Sequence, residues 1–207
     1  VGWPALFLLA YVFWPRRDPL IALGTAALTA IIWLLSGASQ MAIAPPSARI
    51  SPLASLSRWV EPLADGALLL TASGLYLATA APDVLPADAG EFQLVASLLG
   101  VAHPPGFPLY TLLGHLFIRL IPWGTPAQRL NWMSGLLAAA TLVWVARATR
   151  LWVRSLNQEG NGSAVITIAS GLAAALTLGS ATTFWAQATI ANIRTPTVFC
   201  AAFALHA

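Results

Sequence analysis

From residue 164 to residue 185 the chain carries no charged side chain, and the same holds from 130 to 145. Runs of this kind leave few options. A helix that is apolar all round must be buried on every side, either in a large protein core or in a bilayer. Such runs come close to the ~20 apolar residues that a spanning helix needs. The whole chain agrees with the bilayer. Only 8% of its 207 residues are charged, and its mean hydropathy is +0.75. A soluble domain carries about 25% charged residues, so this chain cannot clothe a water-facing surface. The sequence predicts an integral, multi-pass membrane protein with the lipid bilayer as its first partner.

Six apolar segments follow: residues 3–14, 19–35, 63–81, 130–145, 164–185, and one that starts near 197. Residues 36–58 are rich in Ser, Pro and Ala and read as a loop. Residues 157–163 read as a polar loop, with a glycosylation sequon at Asn161. The chain starts at Val1 and ends within an apolar stretch, so a fragment of a longer protein is expected. Cys200 has no second cysteine to pair with. The basic residues are all Arg, and the net charge is +3. In a chain of this class that balance reports orientation, because basic residues stay on the cytoplasmic side. It does not point to nucleic acid.

Orientation follows from the densest cluster. Arg147, Arg150 and Arg154 are placed inside, as are Arg49 and Arg58. The segment at 63–81 then runs outward and the segment at 130–145 runs inward. Asp88 and Arg129 both lie outside. Residues 87–128 must enter and leave on that same side. Two short helices are predicted there, 91–99 and 107–121, each too short for a comfortable span and lying along the membrane surface. The same scheme puts Arg16 and Arg17 outside, against the rule, so charge does not orient the first two segments.

That outer loop holds the polar residues of interest. Asp88 and Glu91 stand three apart before an apolar run, and His103, Pro104, Pro105 and Gly106 follow. Two readings coexist. Asp-x-x-Glu is the spacing of a capping box, with Asp88 at the cap and Glu91 reaching back. A carboxylate at the edge of a low-dielectric phase is also a candidate general base. The proline turn can fold the chain back and bring His103 to the acids. The three are metal-ligand types, but no dense ligand spacing supports a metal site, and none is assigned. Arg119, Arg129 and Arg194 at the outer face are compatible with a lipid phosphate, since guanidinium grips phosphate with two parallel bonds. Each alone is also explained by snorkelling. Trp132 and Trp185 serve as interfacial anchors or as platforms for a sugar.

These residues resemble the DUF2723 family, the TMEM260-like protein O-mannosyltransferases of the GT-C superfamily. The resemblance rests on an ordered set of motifs. Asp88, Gly90 and Glu91 come first; Gly100, His103, Pro104, Pro105, Gly106, Pro108 and Leu109 follow. Arg129, Asn131 and Ser134 form the next element, then Phe184, Trp185, Gln187 and Ala188. It covers residues 75–207. The chain departs from the family at Ala191-Asn192-Ile193-Arg194, where a Glu and a Tyr are usual.

The resemblance implies a GT-C-like, all-α polytopic transmembrane bundle with short membrane-parallel helices in its first outer loop. Residues 1–60 are then unassigned membrane segments and loop, and 61–207 the N-terminal part of that domain, cut at its C-terminus. It implies transfer of a mannose-like hexose from a polyprenyl-phosphate donor to a hydroxyl on a protein or glycan. The site would face the periplasm, the cell exterior or the ER lumen. Asp88 and Glu91 would be catalytic. His103, Tyr110, Arg129, Asn131, Trp185 and Gln187 would bind substrate. Gly90, Pro104, Pro105 and Gly106 would shape the loop. No resident cofactor is implied, and such transfer does not strictly require a divalent metal. Two other classes stay open: a transporter or flippase of a lipid-linked substrate, and a non-catalytic membrane fragment.

Overall fold

In the computed structural model, residues 52–156 and 164–206 are described, with side chains from residue 59 onward. All of them belong to one unit, Ile50–Ala207. The segments at 3–14 and 19–35, most of the loop at 36–58, and the loop with Asn161 lie outside the described residues.

The regular structure of the described residues is all helix, without strands. They form α1 (Pro52–Thr79), α2 (Ala87–Leu98), α3 (Pro108–Leu120), α4 (Pro126–Leu156), α5 (Ala164–Ser180), α6 (Thr182–Ala188) and α7 (Arg194–His206). Helix α1 starts at Pro52, well before the expected residue 63, and proline at a first helical position costs nothing because its missing N–H would be unpaired anyway. Helix α4 is the hub, packed on α1, α5 and α7 along its length and on α2 and α3 near its start. At 31 residues it is about 46 Å long at 1.5 Å per residue, more than the ~30 Å of a hydrocarbon core. It is long and apolar enough to cross a membrane.

The expected span at 164–185 is broken. α5 ends at Ser180, Ala181 is extended, and α6 leaves at 73°. Taken together the bent pair is a second candidate span. The break frees carbonyls at the end of α5, and one of them is used: the buried Tyr76 hydroxyl of α1 donates to Gly179 O at 2.9 Å.

Two apolar clusters hold the unit. One joins α1, α4, α5 and α6 through Leu68, Tyr76, Ala139, Leu142, Ala175 and Ala188. The other joins α2, α3 and α4 through Phe92, Ala96, Tyr110, Ile118, Leu130 and Met133. An ionic seam closes α1 onto α4. Asp65 accepts from Arg147 Nε at 2.7 Å and from Nη2 of the buried Arg150, and Glu61 pairs with Arg154. These are the arginines whose clustering set the expected orientation.

Helix α3 exposes Leu109, Leu112, Leu113, Leu116 and Leu120. Their spacing places them along one side of the helix. An apolar stripe of this size on a surface marks contact with something other than water.

Candidate active site

The site is built at the start of α2. Asp88 and Glu91 fall at i and i+3 and so share a face. Their placement depends on Gly90, where a Cβ would collide with the carbonyl oxygen of Leu85. The preceding segment can therefore lie tight against the helix. Helix α2 begins at Ala87, four residues earlier than expected, and Asp88 sits in its first turn.

The capping box does not form. Position Pro86 caps the helix without any side-chain hydrogen bond. Glu91 turns outward to His103 instead: Oε1 accepts from the His103 backbone N–H at 2.6 Å, and Oε2 meets Nδ1 at 2.7 Å. Two short bonds to one residue outcompete a reach back to the helix start.

His103 is delivered by the loop. The chain leaves α2 through Leu99 and Gly100, returns along the helix, and turns at His103–Gly106. The Gly106 N–H bonds His103 O at 2.8 Å, and Gly106 has φ +88°, a region open to glycine. The Pro104–Pro105 peptide is cis. Helix α3 then runs alongside α2 again, with Tyr110 against Phe92 and Gly114 against Ala96. The loop itself, rather than α3, carries His103 back. Its ring rests between Phe92 and Phe107, at centroid distances of 5.9 and 5.6 Å.

Asp88, Glu91 and His103 thus converge, with one ligand-type atom from each lying within 4.8 Å of the others. The hydrogen bonds from the His103 side chain and backbone hold the Glu91 carboxyl below its usual range. The hydrogen bond to Glu91, helped by the charges of Glu91 and Asp88, pushes the His103 imidazole up, against a smaller opposing effect of desolvation. An ionised carboxylate only accepts, so Nδ1 carries the proton. The ring is fixed with Nε2 outward, as a carboxylate-oriented histidine is. Asp88 differs: it is exposed, and no described group donates a hydrogen bond to it. Two carboxylates and an imidazole are also ligand types for a divalent transition metal, although two of the donor atoms are already engaged with each other.

The other expected site residues are elsewhere. Arg129 donates to Trp123 O at 2.8 Å, Ile118 O at 2.9 Å and Pro122 O at 3.2 Å. It satisfies an open carbonyl in the last turn of α3 and two in the turn that follows, as basic residues near helix C-termini do. Tyr110 is buried in the second cluster, edge-on to Phe92. Asn131 is fully buried and bonds three partners. Trp185 packs edge-on against Tyr76 at 5.0 Å and lines an apolar cleft of about 320 Å³ between α1 and α5. Gln187 accepts from Arg194 Nη1 at 3.1 Å. Asn192, at the departure from the family pattern, caps the first turn of α7, accepting from Thr195 N at 2.9 Å. Gln93, which spacing did not single out, is 2% exposed on the buried side of α2. An amide on an otherwise apolar helical face was the available signal.

Among the described residues, fold and site define a helical unit with at least one helix long and apolar enough to cross a membrane, and with an exposed carboxylate beside a Glu–His pair on the helix–loop–helix between two long helices. The chain belongs to the TMEM260 family: the profile described as "Protein O-mannosyl-transferase TMEM260 N-terminal domain" matches residues 88–207. It is 37% identical over 90 residues to "Protein O-mannosyl-transferase tmem260" of Dictyostelium discoideum, a match that covers 42% of this chain and 11% of that protein. With "Protein O-mannosyl-transferase TMEM260" of Mus musculus it shares 43% over 91 residues, 43% of this chain and 13% of the relative. The chain thus spans a small part of the length of these relatives. No solved structure matches it.

Proposed function

We propose that this chain carries the base-bearing part of a membrane O-mannosyltransferase. Asp88 takes the proton from an acceptor hydroxyl as that oxygen attacks the anomeric carbon of a mannose on polyprenyl phosphate. The new C–O bond forms as the bond from the anomeric carbon to the phosphate oxygen breaks. The polyprenyl phosphate leaves with the electron pair. Asp88 suits the role because it is exposed and uncommitted, whereas Glu91 is occupied with His103. The Glu91–His103 pair holds the loop and presents Nε2 toward the leaving group or the acceptor. Family membership and the names of both relatives support the mannosyl chemistry.

Arg129 is committed to carbonyls, so the phosphate falls to other cations. Arg119 and Arg194 are exposed, and each uses one N–H in a described hydrogen bond, to His115 and Gln187. The leucine stripe of α3 rests in the outer leaflet, which keeps the site at the interface where a lipid-linked sugar is presented. The outer face is the periplasm, cell exterior or ER lumen.

The observation that carries this reading is one free carboxylate beside one occupied carboxylate in a family named for mannosyl transfer. The experiment is reconstitution of the full-length protein with polyprenyl-phosphate mannose and a Ser/Thr peptide. Labelled mannose should appear on the peptide. Movement of the lipid-linked mannose across the bilayer with no covalent product would replace this reading with transport.

A further inference from the structure

Two amides lie in the apolar interior between the site and the rest of the bundle. Asn131 of α4 has no exposed surface, and Gln93 of α2 is 2% exposed. A buried amide without partners is costly. Here the amide atoms are matched. Gln93 Oε1 accepts from Leu85 N at 3.0 Å, and Gln93 Nε2 donates to Asn131 Oδ1 at 2.9 Å. Asn131 Oδ1 also accepts from Ala191 N at 2.8 Å, and Asn131 Nδ2 donates to Ala81 O at 2.8 Å.

The partners are not scattered. Ala81 and Leu85 belong to the segment between α1 and α2, three residues short of Asp88 at its near end. Ala191 belongs to the turn between α6 and α7, which carries Asn192 and leads to Arg194. A further backbone bond, Ala81 N to Thr189 O at 2.9 Å, ties the same two segments. Donor and acceptor directions run one way along the chain of amides, so neither amide can flip without losing a bond.

We propose that Gln93 and Asn131 form a positioning relay that keeps Asp88 in register with the α6–α7 turn, making that turn the second wall of the site. Neither residue touches substrate. The relay acts by fixing Leu85, and with it the start of α2, against Ala191. Both amides are uncharged at every working pH, so the register is independent of the Glu91–His103 pair. The functional half of the proposal rests on the mannosyltransferase reading; the coupling half does not.

The test uses the full-length protein in lipid nanodiscs, with Gln93→Met and Gln93→Asn. The first keeps length and removes both bonds; the second keeps the amide but is too short to span the gap. Hydrogen exchange is followed in peptides covering residues 82–88 and 189–193, below the melting temperature of each variant. Exchange rises in both peptides if the relay couples the walls. Mannose transfer is measured alongside. Small misplacement of a reacting group costs on the order of 10- to 100-fold in rate, so kcat falls by about that factor while KM for the donor stays within about twofold. Exchange that rises only in 82–88, or kcat unchanged in both variants, overturns the relay. If the wild type transfers no mannose, the functional reading falls, and the exchange arm still decides the coupling.

Discussion

Among the described residues, Asp65 and Glu91 meet basic partners in opposite settings. Asp65 is buried between α1 and α4 and takes two arginines at once. Glu91 stands at the surface and takes His103 through both of its oxygens. In the first region the buried carboxylate has both of its oxygens taken by arginines. In the second, one pair is consumed and Asp88 is left over, exposed. The difference separates structure from chemistry. A charge in an apolar interior survives only when it is paired, so its pairing speaks of assembly. A charge that is accessible and unpaired beside an oriented imidazole is free to move a proton.

The comparison breaks most visibly at Asp65. Removing one partner of a buried ion pair leaves an uncompensated charge, at about 3–5 kcal/mol. Asp65→Ala should cost roughly that amount, read as a lower unfolding midpoint in detergent. Glu91→Gln should do something different. The fold should hold, His103 should titrate lower by NMR, and transfer should drop by about 10- to 100-fold, the cost of a misplaced loop.

Acidity sharpens the contrast. Glu91 is held below its ordinary value of 4.5, so its contribution to the clasp is present above that pH and lost as pH falls through the lowered value. His103 is pushed above 6.5, so its contribution is whole below that pH and lost as pH rises through the raised value. The clasp is therefore complete between pH 4.5 and 6.5 and loosens on either side. Exchange protection of residues 99–107, corrected for intrinsic rate, should peak in that window. The smallest effect is at the exposed end of the Asp65 seam: Glu61→Gln should cost ~1 kcal/mol or less, as surface pairs do.

Much of the site was legible in the sequence. The polar residues between 88 and 103, scarce in so apolar a chain, named Asp88, Glu91 and His103, and the chain does bring them together. The long uncharged run at 130–145 named α4. What the sequence hid was the choice of partner. Glu91 had a local option, the helix cap, and a distant one, His103. The distant one won because the returning loop offers a backbone N–H and a ring nitrogen together. Arg129 and Asn131 carry polar groups in a motif, which resembles a substrate site. Arg129 bonds carbonyls of the preceding helix and turn, and Asn131 bonds partners as far as 60 residues away in sequence; such contacts exist only once the helices pack. The break at Ala181 was hidden for a similar reason, since no proline marks it and Tyr76, over a hundred residues upstream, takes one of the freed carbonyls.

The central claim is that Asp88 is the base and Glu91 is not. Asp88→Asn keeps size and removes the proton acceptor, at an exposed position with no described hydrogen bond to lose. Transfer of mannose from polyprenyl phosphate to a hydroxyl acceptor should fall by about 10²- to 10⁴-fold, with thermal unfolding and donor KM unchanged. Transfer within about twofold of the wild type, well short of a general base's usual contribution, in a folded Asp88→Asn protein would contradict the account.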